Sequence, residues 1–274
     1  MKYIVDHDLH IHSKLSFCSG DPKQTKENIL KYAEKRGLKH ICITDHFWDS
    51  ELIPLWNGET WYGDQNYSYI SSILPLPKSE NVKFHFGCET EMDKYLTLGI
   101  HPTHFDNFDF IIIPTTHLHS PLAMDKEFFN DNKRKSVFYI ERLNKILDSN
   151  LPFHKIGIAH LTDHLMGGTG KDNWDNHFAI LDGIPDNEFI KVFDKIKHKG
   201  CGVELNIAFF KYKTQYEKDA MLRPYKIAKQ RGCKFYFGSD SHYPSDFEGL
   251  TEMHEAIVDC LNLEESDKFN PFED

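Results

Sequence analysis

Hydrophobic positions fall into short β-branched or aromatic runs separated by longer stretches with helical spacing. The runs at Lys2–Leu9, His40–Thr44, Val82–Gly87, Phe108–Pro114, Lys155–Ala159, Cys201–Asn206 and Lys234–Gly238 predict strands. Amphipathic patterns over Thr25–Arg36, Lys126–Asp148, Asn187–His198, Lys218–Gln230 and Ser245–Cys260 predict helices. Three helix-to-strand joins share one design: Lys35-Arg36-Gly37, Lys197-His198-Lys199-Gly200 and Gln230-Arg231-Gly232. Basic residues in the last turn complement the helix dipole, and glycine supplies a left-handed cap. Repeated strand–helix units build a parallel sheet. Seven such strands predict an α/β barrel of seven units, forming a single domain over residues 1–274.

Two stretches break this rhythm. Phe47–Asn81 carries Trp48, Trp56, Trp61, Tyr62, Tyr67 and Tyr69, and Leu161–Pro185 carries Gly167-Gly168-Thr169-Gly170 and Trp174. Both read as loop insertions, and loops of this length in a compact domain usually serve as lids or substrate walls.

Composition narrows the partners. The net charge of −10 gives no general attraction to nucleic acid or an anionic membrane. Bound divalent cations would cancel much of that charge locally, so an anionic substrate stays open. No apolar run is long enough to span a bilayer, and the apolar part of Met1–Asp8 is too short for a signal peptide. The six cysteines form no C-x-x-C pair, and Cys42 and Cys88 sit in strand-like runs as buried thiols. The expected compartment is the reducing cytoplasm.

Histidine changes the picture most, with 17 residues clustered among acids. Asp8-Leu9-His10-Ile11-His12 ends the first strand pattern, where side chains at i and i+2 leave on one face. Thr44-Asp45-His46, Gly87-Cys88-Glu89-Thr90-Glu91, His117, His160 and Gly238-Ser239-Asp240-Ser241-His242 follow the other apolar runs. Each candidate stands at the carboxyl end of a strand, where parallel α/β folds place their sites. Packed cores avoid these residues, because a buried charge costs several kcal/mol unless it is paired or metal-bound.

The ordered set H-x-H, T-D-H, G-x-E, a His after T-T, A-H, E-L-N and G-S-D-S-H resembles the PHP family of polymerases and histidinol phosphatases. The resemblance runs from Asp8 to about Phe247. It implies a distorted (β/α)7 barrel, TIM-like in plan, holding two or three divalent ions such as Zn, Mn or Fe. It further implies one ion on His10, His12, Glu89 and Asp240, and a second sharing Glu89 with His117 and His160. A third would use His46, His242 and one ligand from the Ser16–Asp21 loop. Asp21 is favoured over Cys18, since a carboxylate suits mixed His/Asp sites whereas a thiolate biases a site to zinc. Asp240, His242 and Glu89 are the expected catalytic residues.

The implied reaction is metal-dependent hydrolysis of a small phosphorylated metabolite, a phosphate monoester, by a metal-activated hydroxide. Lys211, Lys171 and Arg223 are candidate cations for the phosphate. Asp163, His164 and His119 are candidates for orienting ligands or protonating the leaving group, and Glu91 is either a support for a ligand or a surface acid. Two alternatives remain: a phosphoesterase on nucleotides or short oligonucleotides, with the aromatic insert stacking bases, and a non-catalytic metal-binding domain. No stable nucleic-acid partner or membrane is expected, and oligomeric state has no sequence signal.

Overall fold

Strong β-formers in the apolar runs and long amphipathic segments between them fold into alternating strands and helices. The computed structural model describes residues 1–55, 60–170, 173–206 and 214–272. The strands are β1 (His7–Ile11), β2 (His40–Ile43), β3 (His46–Phe47), β4 (Lys83–Thr90), β5 (Phe110–Pro114), β6 (Ile156–Ala159), β7 (Gly202–Leu205) and β8 (Lys234–Phe237). All pair in parallel in the order β1-β2-β4-β5-β6-β7-β8, and the two-residue β3 extends β2's path beside β4. Beyond β8 the chain returns to β1: Asp240 N–H donates to His10 C=O at 2.7 Å and His12 N–H to Ser241 C=O at 3.0 Å. These bonds nearly close a seven-stranded barrel.

Alternation along the strands separates two cores. Ile41, Ile43, Ile111, Ile113, Phe235 and Phe237 pack in the large cluster under the helices. Their neighbours Cys42, Phe110, Ile112 and Tyr236 form a second cluster with Leu9 and Ala159, filling the barrel interior. Glu204 sits between Val203 and Leu205, which both pack outward, and so points inward.

The surrounding helices are α1 (Lys26–Arg36), α2 (Thr60–Gly63), α3 (Tyr67–Ile70), α4 (Asn132–Asp148), α5 (Asn173–Asp182), α6 (Asp186–Lys199), α7 (Gln215–Arg231) and α8 (Leu250–Leu261). The three glycine joins behave as expected: Gly37, Gly200 and Gly232 take φ of 67°, 76° and 80° as left-handed caps of α1, α6 and α7. No helix among the described residues is long and apolar enough to cross a membrane.

Several boundaries differ from expectation. The first strand starts at His7 rather than Lys2, so His10 lies inside it, and Lys2 instead bridges Glu264 near the C-terminus. The long pattern from Lys126 splits, because the Asp131 side chain accepts from Arg134 N–H and starts α4 afresh. The helix over Lys218 begins earlier, at Gln215, under a capping box between Thr214 and Glu217. The last helix begins at Leu250, after Gly249 at φ 72°. The stretch Leu161–Pro185 is no simple loop, since it contains α5. Trp56 lies outside the described residues.

Glycine at 157 is set by the tight barrel interior, where an added Cβ would sit 2.4 Å from the Tyr236 hydroxyl and 2.6 Å from Phe110 Cζ. Gly157→Ala is expected to lower stability by about 2 kcal/mol through overpacking. A urea midpoint equal to that of the unsubstituted protein would contradict this packing.

Candidate metal centre at the carboxyl end of the barrel

The strand ends bring His10, His12, His46, Glu89, His117, His160, Asp240 and His242 around one cavity. His10 projects from β1, His46 from β3 and Glu89 from the end of β4, while His12, His117, His160, Asp240 and His242 lie within one to five residues after β1, β5, β6 and β8. His160 and Asp240 adopt left-handed backbone, at φ 55° and 54°. Such conformations cost about 1–3 kcal/mol each in non-glycine residues. The chain turns sharply at those two strand ends.

Four imidazoles are oriented by acceptors behind them. His10 Nδ1–H donates to Glu204 Oε1 at 2.6 Å, and His117 Nδ1–H to Glu91 Oε2 at 2.7 Å. His242 Nδ1–H donates to the Asp240 carbonyl at 2.8 Å. His12 Nδ1 lies 2.7 Å from Ser16 Oγ, whose own proton goes to Asp45 Oδ1 at 2.8 Å, so His12 must be the donor. Each of these rings therefore presents an Nε2 lone pair to the cavity.

The consequence is a convergence of acceptors. His10 Nε2 and His12 Nε2 stand 3.2 Å apart, and lie 3.3 and 3.1 Å from Asp240 Oδ1. Glu89 spans the centre: Oε2 is 2.8 Å from His46 Nδ1 and 3.4 Å from His12 Nε2, and Oε1 is 3.7 Å from His160 Nε2. Yet both Glu89 oxygens, Asp240 Oδ1 and both His160 ring nitrogens are buried without a well-formed hydrogen bond. Lone pairs this close repel unless a cation or proton lies between them. Among the described residues, donor atoms within 4.8 Å of one another form the sets His10/His12/Asp240, Glu89/His117/His160, His12/Cys18/His46/His242 and His10/His160/Glu204, and in the last the Glu204 carboxylate already accepts from His10 Nδ1. Nitrogen, carboxylate and thiol donors of this kind fit divalent first-row ions.

Proton affinities show the same convergence. Burial opposes charge on His10 and His160, yet the facing carboxylates raise His10 well above the usual imidazole range and His160 to about 10. Burial pushes the Glu89 carboxyl up, but His46 and His10 pull it well below the usual range. At His242 burial, helped by the neighbouring His12 and His46, outweighs the pull of Asp240, and its imidazole falls to about 4.

Other expected residues are placed differently. Asp21 stays out of the donor sets, because its carboxylate accepts the Lys23 N–H at 2.8 Å within its own turn; Cys18 occupies the place expected of it. Arg223 also lies outside the cavity, with its guanidinium bonded to the Ile184 and Leu181 carbonyls and paired with Asp186 at 2.8 Å. Lys171 and Lys211 lie outside the described residues. Asp163 caps Leu165 N–H and His164 stacks on Trp174, whereas His119 lines the cavity. Glu91 is no surface acid; it joins His117 to the buried Arg142, at 2.6 Å.

The cavity, of about 170 Å³, is walled by Phe17, Tyr62, Ser120 and Leu165. Phe17 stacks on His46 at 4.7 Å, and Tyr62 comes from the aromatic insertion. Glu204, Asp45, Ser16 and Arg142 stand behind these side chains, a supporting role that was expected of none of them. Glu204 did carry a signal, as an acid inside the sixth apolar run, Cys201–Asn206.

A family model for the PHP domain matches residues 8–267. The chain belongs to the PHP domain family. This PHP domain is 23% identical over 253 residues to a "Probable phosphatase" of Caldicellulosiruptor bescii, covering 92% of the chain and 85% of the relative. It is 28% identical over 139 residues to a "Probable histidinol-phosphatase" of Thermotoga maritima, a match spanning half the length of each. In fold it is similar to the Lactococcus lactis histidinol phosphate phosphatase solved with zinc, L-histidinol and phosphate. That match has a TM-score of 0.54 and 14% identity, covering 97% and 98% of the two chains.

Glu91→Met leaves Arg142 buried without its partner and His117 without its acceptor. It is expected to cost about 3 kcal/mol of stability and to weaken zinc binding at least about tenfold. Urea unfolding and zinc titration of the metal-stripped protein check both, and unchanged values would contradict the support assigned to Glu91.

Proposed function

We propose that this PHP domain is a metal-dependent phosphatase acting on a small phosphorylated metabolite, a phosphate monoester. The observation that carries the reading is the buried convergence of acceptors around Glu89, in a family whose matched relatives bear phosphatase names. Two or three divalent ions, Zn, Mn or Fe, are assigned to His10, His12 and Asp240, to His117 and His160, and to His46, His242 and Cys18, with Glu89 shared. Cys18 replaces Asp21 in this assignment, and its thiolate biases the third set to zinc. Bound divalent ions supply an acidified water as nucleophile and positive charge for the phosphoryl oxygens.

The chain's own residues hold this arrangement. Glu204, Ser16 and Glu91 keep the Nδ1 protons of His10, His12 and His117 directed outward. Phe17, Tyr62 and Leu165 limit water at the cavity wall. Among the described lining residues the histidines, with any divalent ions they hold, would offer the positive charge that a phosphate needs. The cavity is smaller than the ~300–1,000 Å³ common for ligand sites, which favours a phosphoryl group with a short leaving group over a polynucleotide strand. The six cysteines are free, which suits the cytoplasm.

Metal analysis of the purified protein followed by a phosphate-ester screen with each metal found tests the reading. Asp240→Ala and His10→Ala are each expected to abolish hydrolysis while circular dichroism shows an intact barrel. Retained activity in either variant removes that residue from the site.

A further inference from the structure

Beside the metal centre, and sharing His119 with it, lies a second cavity of about 250 Å³. Lys135, Asn173, Asn176 and the glycine-rich turn 167–170 line it. Lys135 is the fourth residue of α4 and is fully buried. Its ammonium donates to the Met166 carbonyl at 3.0 Å, and among the described residues no carboxylate pairs with it. An ammonium carries three donors, so two remain for another acceptor. Burying a cation without a counter-charge costs several kcal/mol, and its place near the start of a 17-residue helix adds to the positive potential.

The rest of the cavity is also underused. Gly168, at φ 110°, and Gly170 have no atoms within 4 Å of where a Cβ would stand, so the turn is open on that side. His119 Nδ1, on the wall shared with the metal centre, is buried without a hydrogen-bond partner. Asp163 Oδ1 accepts the Leu165 N–H, and its charge reaches His119 rather than pairing with Lys135.

We infer that the Lys135 cavity is a subsite for an anionic group, a carboxylate or a second phosphate, carried on the leaving group of the substrate. The inference rests on the phosphatase reading for the position of the scissile phosphoryl group at the metal centre, with His119 between the two ends. The substrate class is then a short phosphorylated acid or bisphosphate. Esters whose leaving group is a cation are disfavoured, because they bring like charge to Lys135.

A matched pair of esters tests this: 3-phosphoglycerate, with a carboxylate, and glycerol 3-phosphate, with a neutral hydroxymethyl in its place. The metal-loaded protein is expected to favour 3-phosphoglycerate in kcat/KM by about tenfold or more, the usual worth of a charge-assisted contact. Lys135→Met is expected to bring the ratio close to one, with metal content unchanged. If Lys135→Met does not fold, Lys135→Gln provides the same comparison. A wild-type ratio near one, or a ratio unchanged by the substitution, overturns the subsite and leaves the phosphatase reading standing. If neither ester is hydrolysed, the pair does not support the phosphatase reading, and calorimetric binding of the same two esters still decides the subsite. Tighter binding of 3-phosphoglycerate that is lost with Lys135 supports it, and equal binding overturns it.

Discussion

The Glu89 carboxylate is buried where the barrel strands end, facing the imidazoles of His10, His12, His46 and His160, three of which also face Asp240. Left uncompensated, a buried carboxylate costs several kcal/mol. Nearly every unusual feature around it follows from that constraint. Protons partly meet it, as the raised affinities of His10, His12 and His160 show. Divalent cations meet it better, since one ion can lie among three or four acceptors that protons must satisfy in pairs.

Compensation by a cation requires geometry held to a few tenths of an ångström. The barrel supplies it at two levels. Parallel pairing places the histidine- and carboxylate-bearing ends of the strands side by side, with His46 opposite Glu89 in register. Behind the converging side chains, buried partners fix ring orientation: Glu204 holds His10 and also accepts the His160 backbone N–H, so one carboxylate steadies residues from two strands. Arg142 does the same from α4 through Glu91. The left-handed backbone at His160 and Asp240 is strain tolerated where the surrounding bonds over-determine the chain.

Much of this was legible in the sequence because strand-end position and residue type coincide. Apolar runs ending in His, Asp or Glu pointed to the side chains that converge around Glu89, and the Lys/Arg–Gly joins located three helix ends. What escaped was whatever depends on side-chain direction within a turn or helix. Asp21 and Cys18 are three residues apart in one loop, and only the turn that gives Asp21 the Lys23 N–H separates them. Arg142 and Lys135 lie on the buried face of an otherwise ordinary amphipathic helix, where spacing cannot distinguish a charged group that supports a site from one that is solvated. Arg223 shows the converse, a cation at a plausible distance in sequence but spent on capping the α5–α6 connection.

Anomalous diffraction from crystals of the metal-loaded protein, recorded at the zinc, manganese and iron edges, tests the central claim most directly. The account predicts ions beside Glu89, one on His10, His12 and Asp240, one on His117 and His160, and a third held by Cys18 with His46 and His242. Empty density around Glu89 in protein shown to contain metal, or an ion held by Asp21 instead of Cys18, would contradict it.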